Sequence, residues 1–430
     1  MPEEISEIIK AVEAGGFDAF AVGGAVRDSL LGETPLDWDL ATNAAPDALA
    51  EIFPDAEMTD SKFGVIKLEI KSEVKPEATG FLIDIARFRV DGNYSDHRRP
   101  DGVIFVDHIE DDLKRRDFTV NAIAYNPGKG FIDPFDGRQD IQEKLIRVVG
   151  DPLVRFEEDP LRMMRAARFA AETGFDIHKK TYKAILQKGA LLEKISADRI
   201  RQEFEKLIVA KFAGKGLKML HSLGLMPVIV GELAEEMTSR EMTDFDTLAE
   251  NIDKTKRIKD RRLGLFYLCF ERKGALAAVR RLKFDSKMTG KLEDALNHLE
   301  SMCFLADKFE IKQFIAKIGP DRYEYLDGLS KAQRIVYDLQ EHKILGRYYL
   351  LQDMEANKEP MFISDLKIDG NDIIENGIAE GEKVGEILGM LLDLVHKEPK
   401  RNTKEELLRY AEQYATNIIK ATFRKVRWIR

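Results

Sequence analysis

Polar and hydrophobic positions alternate in two stretches of the first 135 residues, then give way to helical spacing from Asp151 onward. Phe63 to Ile70 reads F-G-V-I-K-L-E-I and Phe81 to Val90 reads F-L-I-D-I-A-R-F-R-V, the period-two pattern of strands. A shorter apolar run (Phe17, Ala19, Phe20, Ala21) predicts a buried strand that ends at Val22-Gly23-Gly24. Further on, Pro160 suits the first turn of a helix running through Met163, Met164, Ala167 and Phe169 and ending near Gly174. Ser196-Ala197-Asp198 opens another, Arg199 to Val209, with Ile200, Phe204, Leu207 and Ile208 on one stripe. More helices are predicted at roughly 258–271, 286–300, 331–344, 380–396 and 403–420, with glycine-rich turns near 213–216, 223–231 and 369–381. The architecture expected is an α/β head followed by a long all-helical remainder, with no internal repeat.

Composition narrows the class. At 430 residues the chain is too long for one core. Its 44% hydrophobic and 33% charged residues suit a soluble, helix-rich protein. There is no 18-residue apolar run, and Met1-Pro2-Glu3-Glu4 has no signal-peptide core, so a cytoplasmic protein without a membrane partner is expected. Cys269 and Cys303, beside Phe270 and Phe304, are expected as buried free thiols, and zinc has almost no ligands to bind. A net charge of −9 argues against indiscriminate coating of nucleic acid but allows a local basic track.

The densest chemistry lies between Gly23 and Thr42, G-G-A-V-R-D-S-L-L-G-E-T-P-L-D-W-D-L-A-T. Residues two apart on a strand share a face, so Asp37 and Asp39 project together, with Leu36 and Leu40 as expected core anchors. Two carboxylates side by side suit Mg²⁺, which takes carboxylate and phosphate oxygens. Glycines upstream let backbone N–H groups approach a triphosphate, and Arg27 adds a charged donor. Taken singly, a D-x-D is a solvated pair and a di-glycine a turn; their combination at this spacing favours a site. Asp84, on the second alternating strand, is a candidate third carboxylate.

Two later segments extend the site. In D-D-L-K-R-R-D-F-T-V-N-A-I-A-Y (111–125), Arg115 and Arg116 can fork onto phosphate oxygens, Asp117 can cap or orient, and Phe118, Val120 and Ile123 pack. In F-E-E-D-P-L-R-M-M-R-A-A-R-F (156–169), Arg162, Arg165 and Arg168 recur every three residues on one slowly drifting helix face. Read as free of neighbouring acids, that face repels itself unless an anion lies against it; the plain alternative is a solvated basic face. Asp159, just before Arg162, supplies an acceptor beside a donor. Cytosine and adenine each offer an exocyclic amine and a ring acceptor to that pair. Guanine and uracil present a carbonyl and a ring N–H there, leaving polar groups unpaired, so the pair accepts C and A without a template. The C-terminal run Lys420 to Arg430 gathers basic residues around Phe423 and Trp428, suited equally to RNA phosphates and to a basic helix end.

Together, the Gly23–Thr42 segment, Arg115-Arg116-Asp117, Asp133-Pro134-Phe135-Asp136-Gly137, Glu158-Asp159-Pro160-Leu161-Arg162 and the block Ile195 to Lys206 resemble the successive motifs of class II tRNA nucleotidyltransferases, the CCA-adding enzymes, relatives of bacterial poly(A) polymerases. The resemblance covers about residues 17–210 and thins beyond. It implies a nucleotidyltransferase head of the DNA polymerase β superfamily followed by an all-α neck, body and tail, here 1–150, 151–211, 212–310 and 311–430. It further implies Asp37 and Asp39 as Mg²⁺ ligands. Gly24, Arg27, Arg116, Asp159, Arg162, Arg165 and Arg168 would contact the nucleotide. The implied reaction is template-independent addition of C, C and A to the tRNA 3′ end from CTP and ATP by two-metal phosphoryl transfer. Asp91 to Pro100 (D-G-N-Y-S-D-H-R-R-P) is similar to the flexible loop of full CCA- and A-adding enzymes, against a CC-only product. Residues 43–62 lack the basic pattern that marks bacterial poly(A) polymerases, and the helical half has no His-Asp dyad of an appended phosphohydrolase. An A-adding enzyme or poly(A) polymerase of the same family remains the alternative, then an idle RNA-binding protein, against which the intact Asp37 and Asp39 speak.

Overall fold

A computed structural model describes residues 1–35, 37–54, 57–60, 64–70, 81–92, 102–339 and 342–426, with side chains described as far as Thr416 except at 57–60, 69–70, 81–82 and 342–344. Leu36, residues 93–100 of the expected loop and the side chains of Lys420–Arg430 therefore lie outside the described residues. The contacts divide the chain into two compact units: Met1–Asp253 with Ala277–Phe284, and Lys254–Leu276 with Asp285–Arg430.

The first unit is built on a mixed sheet. Its strands are β1 (Ala19–Val22), β2 (Asp39–Thr42), β3 (Glu57–Asp60), β4 (Val65–Ile70), β5 (Phe81–Arg87), β8 (Ala124–Asn126) and β9 (Gly130–Ile132), in the order β3-β4-β5-β2-β1-β8-β9; β6 (Arg89–Asp91) and β7 (Val103–Phe105) pair separately. β1 is central and buried at all four positions, which is why it reads as an unbroken apolar run. The pairing of β2 with β5 is parallel, and its neighbours are antiparallel. The predicted strand from Phe81 to Val90 is split. Fully buried Phe88 donates its N–H to the Thr42 carbonyl at 2.7 Å and ends β5, and the chain leaves for the second sheet.

Helices α1 (Glu3–Ala14), α2 (Gly24–Leu30), α3 (Pro46–Ile52), α4 (Ile109–Lys114) and α5 (Gly137–Glu143) accompany the sheet. Asp133 caps the start of α5, accepting from the N–H groups of Gly137 at 2.7 Å and Arg138 at 2.9 Å. Then follow α6 (Pro152–Glu158), α7 (Leu161–Thr173), α8 (Lys179–Lys188), α9 (Ala197–Ile208), α10 (Ala213–Ser222), α11 (Pro227–Val230) and α12 (Ser239–Asn251). Helix α7 starts after Pro160 and ends at Gly174, whose φ of +75° closes the helix in the left-handed region. Its predicted core face is buried at Met163, Met164, Ala167 and Phe169, and the α9 stripe is buried at Ile200, Phe204, Leu207 and Ile208.

One expectation fails on glycine. Residues 213–216 form the first turn of α10, not a loop. A Cβ on Gly214 would stand 1.9 Å from the Ala249 carbonyl oxygen, and one on Gly216 2.6 Å from Ala171 Cβ. These glycines serve close helix approach rather than a bend. Near 369–381, helix Gly370–Glu375 precedes the turn, which has positive φ at Gly377 and Gly381.

The second unit is helical, including Lys259–Tyr267, Ser286–Cys303, Lys308–Ile318, Pro320–Tyr337, His342–Ala356, Glu382–Lys397 and Lys404–Val426. The helix predicted at 331–344 is interrupted, because Asp338 takes a left-handed conformation (φ 50°) and caps the helix that ends at Tyr337. Ile387, Leu391, Val395, Leu407 and Ala411 form one of its cores. Cys269 is buried as expected, whereas Cys303 is only half-buried. Among the described residues no single helix is long and apolar enough to cross a membrane.

Candidate active site

Strand register assembles the acidic edge. Asp39 opens β2, opposite Val22 of β1 and opposite Asp84 of β5. Parallel register puts Asp39 and Asp84 on one face, and exposure alternates through Asp37, Trp38 and Asp39. Asp37 precedes the strand instead of lying on it, and buried Trp38 anchors the pair from between. Burial on the sheet side pushes the Asp39 carboxyl up although its tip is open. Arg116 opposes that push, Asp84 and Asp37 add to it, and the result is a raised pKa. This crowding of like charge is what a bound cation would relieve. Among the described residues no three acids, histidines or cysteines converge as a ready-made cage. A pair of carboxylates, with water and phosphate oxygens completing the shell, is a set Mg²⁺ accepts.

Gly23, with φ +77°, turns the chain at the end of β1. A Cβ there would meet Arg116 Nη1 at 3.2 Å and Asp39 Oδ2 at 3.8 Å, so glycine makes room for both. Arg115 and Arg116 follow α4, where buried Asp112 accepts from Arg115 Nε at 2.9 Å and Arg116 Nη2 at 3.1 Å. Burial raises the Asp112 carboxyl, but the two guanidinium charges and their hydrogen bonds outweigh it and hold it below the usual range.

An open cavity of about 420 Å³ joins these groups to the helices that follow. Its lining includes Asp39, Gly24, Arg27, Arg116, Asp159, Arg162, Arg165 and Arg168, so all the predicted site residues except Asp37 border one space. Seven arginines face five carboxylates there, an excess of positive charge suited to a polyanion.

The supposed freedom of the three helical arginines from acids is corrected by the structure. Arg162 donates to Glu158 at 2.8 Å, Arg165 to Asp117 at 2.8 Å, and Arg168 to Glu203 at 2.5 Å and Glu172 at 2.7 Å. Glu158 and Glu172 stand four residues from their arginines, Glu172 within α7 itself, whereas Asp117 and Glu203 come from distant segments that spacing does not reach. They offset part of the charge and fix where each fork points. Asp159 and Arg162 both line the cavity, but Asp159 is held by Arg199, at 3.0 Å.

Several participants were not predicted. Arg27 Nη1 donates to Asn121 Oδ1 at 2.7 Å, and Asn121 Nδ2 donates to Asp117 at 3.2 Å. Phe169 lies under three guanidinium groups, with Arg168 4.0 Å, Arg27 5.3 Å and Arg165 5.5 Å from its ring centre. Asn121, Phe169, Arg199 and Glu203 all sit inside segments already singled out, but nothing in their spacing marked them.

Two family models match: the poly A polymerase head domain over residues 19–147 and the probable RNA and SrmB-binding site of polymerase A over 174–237. The CCA-adding enzyme of Geobacillus thermodenitrificans is 45% identical over 229 residues, 53% of this chain; the match spans about half, 54%, of that relative. The CCA-adding enzyme of Leuconostoc mesenteroides is 30% identical over 97% of this chain and 98% of its own length. The chain belongs to the CCA-adding enzyme family. Its fold agrees: the CCA-adding enzyme of Bacillus stearothermophilus, solved in complex with CTP, superposes with a TM-score of 0.79 at 29% identity, covering 98% of this chain and all (100%) of that one. As a CCA-adding enzyme family member, the chain has the nucleotidyltransferase head and helical remainder expected of it. Of the segments that carried the resemblance, Gly23-Gly24 and Asp39, Arg115-Arg116-Asp117, Asp159 to Arg168 and Arg199 line the cavity, whereas Asp133–Gly137 does not.

Proposed function

We propose that this chain adds C, C and A to the 3′ end of tRNA from CTP and ATP without a nucleic-acid template. The observation that carries the reading is one cavity bordered by Asp39, phosphate-sized arginine forks and the Asp159–Arg162 pair. In this reading residues 1–150 form the catalytic head, 151–211 the neck with the selecting helix, 212–310 the body and 311–430 the tRNA-binding tail. Arg27, Arg116, Arg165 and Arg168 receive the triphosphate, while Asp159 and Arg162 meet the base edge. Gly24 keeps the backbone close to the phosphates. Asp37 and Asp39, with Asp84 alongside, are the groups that would hold Mg²⁺, which when bound neutralises phosphate charge and favours the ionised 3′-hydroxyl. The protein's own contribution is placement: it holds the α-phosphate in line between the tRNA hydroxyl and the departing pyrophosphate. No side-chain nucleophile is needed. The reaction belongs where tRNA matures, in the cytoplasm. The test offers each nucleotide separately to tRNA transcripts ending before CCA, after C and after CC. Ordered C, C, A addition supports the reading. Addition of A alone, or of a long A tract, overturns it.

A further inference from the structure

We propose that Arg155 is a positioning residue that keeps base selection and phosphate placement in register. The inference rests on the nucleotide site proposed above. Arg155 stands on α6, behind the cavity, with its side chain 12% exposed. Its Nη2 donates to the backbone carbonyl of Arg116 at 2.9 Å and to that of Arg115. Its Nη1 donates to Glu158. The same Glu158 oxygen accepts from Arg162 Nη1 at 2.8 Å, and the Arg155 backbone carbonyl accepts from that nitrogen at 2.9 Å. One residue is thus bonded to the turn that carries the phosphate-side arginines and to the arginine that meets the base.

The geometry has a mechanical consequence. A planar guanidinium with donors on two carbonyls and a carboxylate fixes both distance and orientation between the elements it joins. Asp112 holds the side chains of Arg115 and Arg116 from the other side, so their turn moves as one piece. A base that seats correctly against Arg162 therefore holds Arg155 and, through it, Arg116 beside Asp39. A base that does not seat leaves the turn displaced, and small displacements cost much in an in-line reaction. Lysine keeps the charge, but its three donors diverge from a single nitrogen and do not span the separated acceptors that Nη1 and Nη2 reach.

The experiment measures single-turnover addition by the full chain to tRNA ending in CC, with ATP, GTP and UTP, for wild type, Arg155→Lys and Arg155→Ala. Thermal unfolding is recorded for each, and rates are read well below the lowest midpoint. The expected result is a fall in kcat for ATP of about tenfold or more in both variants with a smaller fall for GTP and UTP, so that the selectivity ratio drops while KM changes little. If Arg155→Ala does not fold, Arg155→Lys carries the same test. A lysine variant with wild-type kcat and wild-type selectivity overturns the proposal and leaves Arg155 a structural ion-pair residue. Failure of the wild type itself to add A to this tRNA overturns the site assignment instead, so the two failures are distinct.

Discussion

Asp117 and Arg165 tie the sheet-side wall of the cavity to helix α7, Arg165 Nε donating to Asp117 Oδ2 at 2.8 Å. The acid's other oxygen accepts from the Phe118 N–H at 2.8 Å and from Asn121 at 3.2 Å, so Asp117 is bonded to Arg165 directly and to Arg27 through Asn121. Burial pushes its carboxyl up, but the charge and hydrogen bonds of Arg165, with those of Asn121 and Phe118, hold it far below the ordinary range. A folded pKa below the unfolded value of about 3.9 stabilises the protein at neutral pH, and that contribution fades as pH falls below about 4. Asp117→Asn is expected to cost about 2 kcal/mol at pH 7, less than a fully buried pair because Arg165 is one-third exposed, its side chain at 34%. Urea denaturation of both proteins from pH 7 to pH 3 checks it. The gap should begin to narrow as pH falls from 4 to 3, since full loss comes only below the depressed folded pKa, and a gap independent of pH would remove the electrostatic explanation.

Asp39 has the opposite sign. Its carboxyl is raised by burial and by Asp84 and Asp37, against the pull of Arg116. A raised folded pKa means that the charged form costs stability, so Asp39→Asn should be more stable than wild type in buffer without divalent cations. The same variant, and Asp37→Ala, should lose nucleotide transfer by about a thousandfold while still binding tRNA. Retention of a tenth of the wild-type rate in both variants would contradict the assignment of these acids.

Base choice is checked at Asp159 and at the residue that aims it. Asp159→Ala should slow CTP and ATP addition and relax rejection of UTP and GTP. Arg199→Ala, which removes the 3.0 Å donor to Asp159, should shift selectivity in the same direction by a smaller factor, about tenfold. Equal slowing for all four nucleotides, measured as kcat/KM, would mark both residues as structural.

The sequence made the acidic edge and the arginine helix legible for a physical reason: period-two and period-three spacings are local, and a D-x-D or R-x-x-R carries its geometry within a few residues. Alternation put Asp84 on a strand, but only parallel register across 45 positions brings it opposite Asp39. Two of the arginines' partners are hidden for the same reason. Glu203 and Asp117 reach Arg168 and Arg165 from 35 and 48 positions away, distances at which spacing says nothing. Helix content is legible as well, except at Asp338, where a left-handed residue interrupts the predicted helix, and where glycine has two meanings. Near 213–216 the glycines predict a turn, and the structure uses them as absence of volume.

That last distinction gives a sharp stability test. Gly214 lies in the first turn of α10, where its missing side chain lets the Ala249 carbonyl of α12 approach; an added Cβ would sit 1.9 Å from that oxygen. The obstacle is backbone, which cannot rotate away as a flexible side chain can. In an open helix Gly→Ala stabilises by up to about 1 kcal/mol through propensity alone. Here the clash should reverse the sign and cost about 3 kcal/mol or more, forcing α10 and α12 apart. Gly290, in helix Ser286–Cys303, has nothing within 4 Å of its Cβ position and serves as the control. Denaturation midpoints should fall for Gly214→Ala and hold or rise for Gly290→Ala. A Gly214→Ala protein as stable as wild type would show that position 214 is a flexible turn after all.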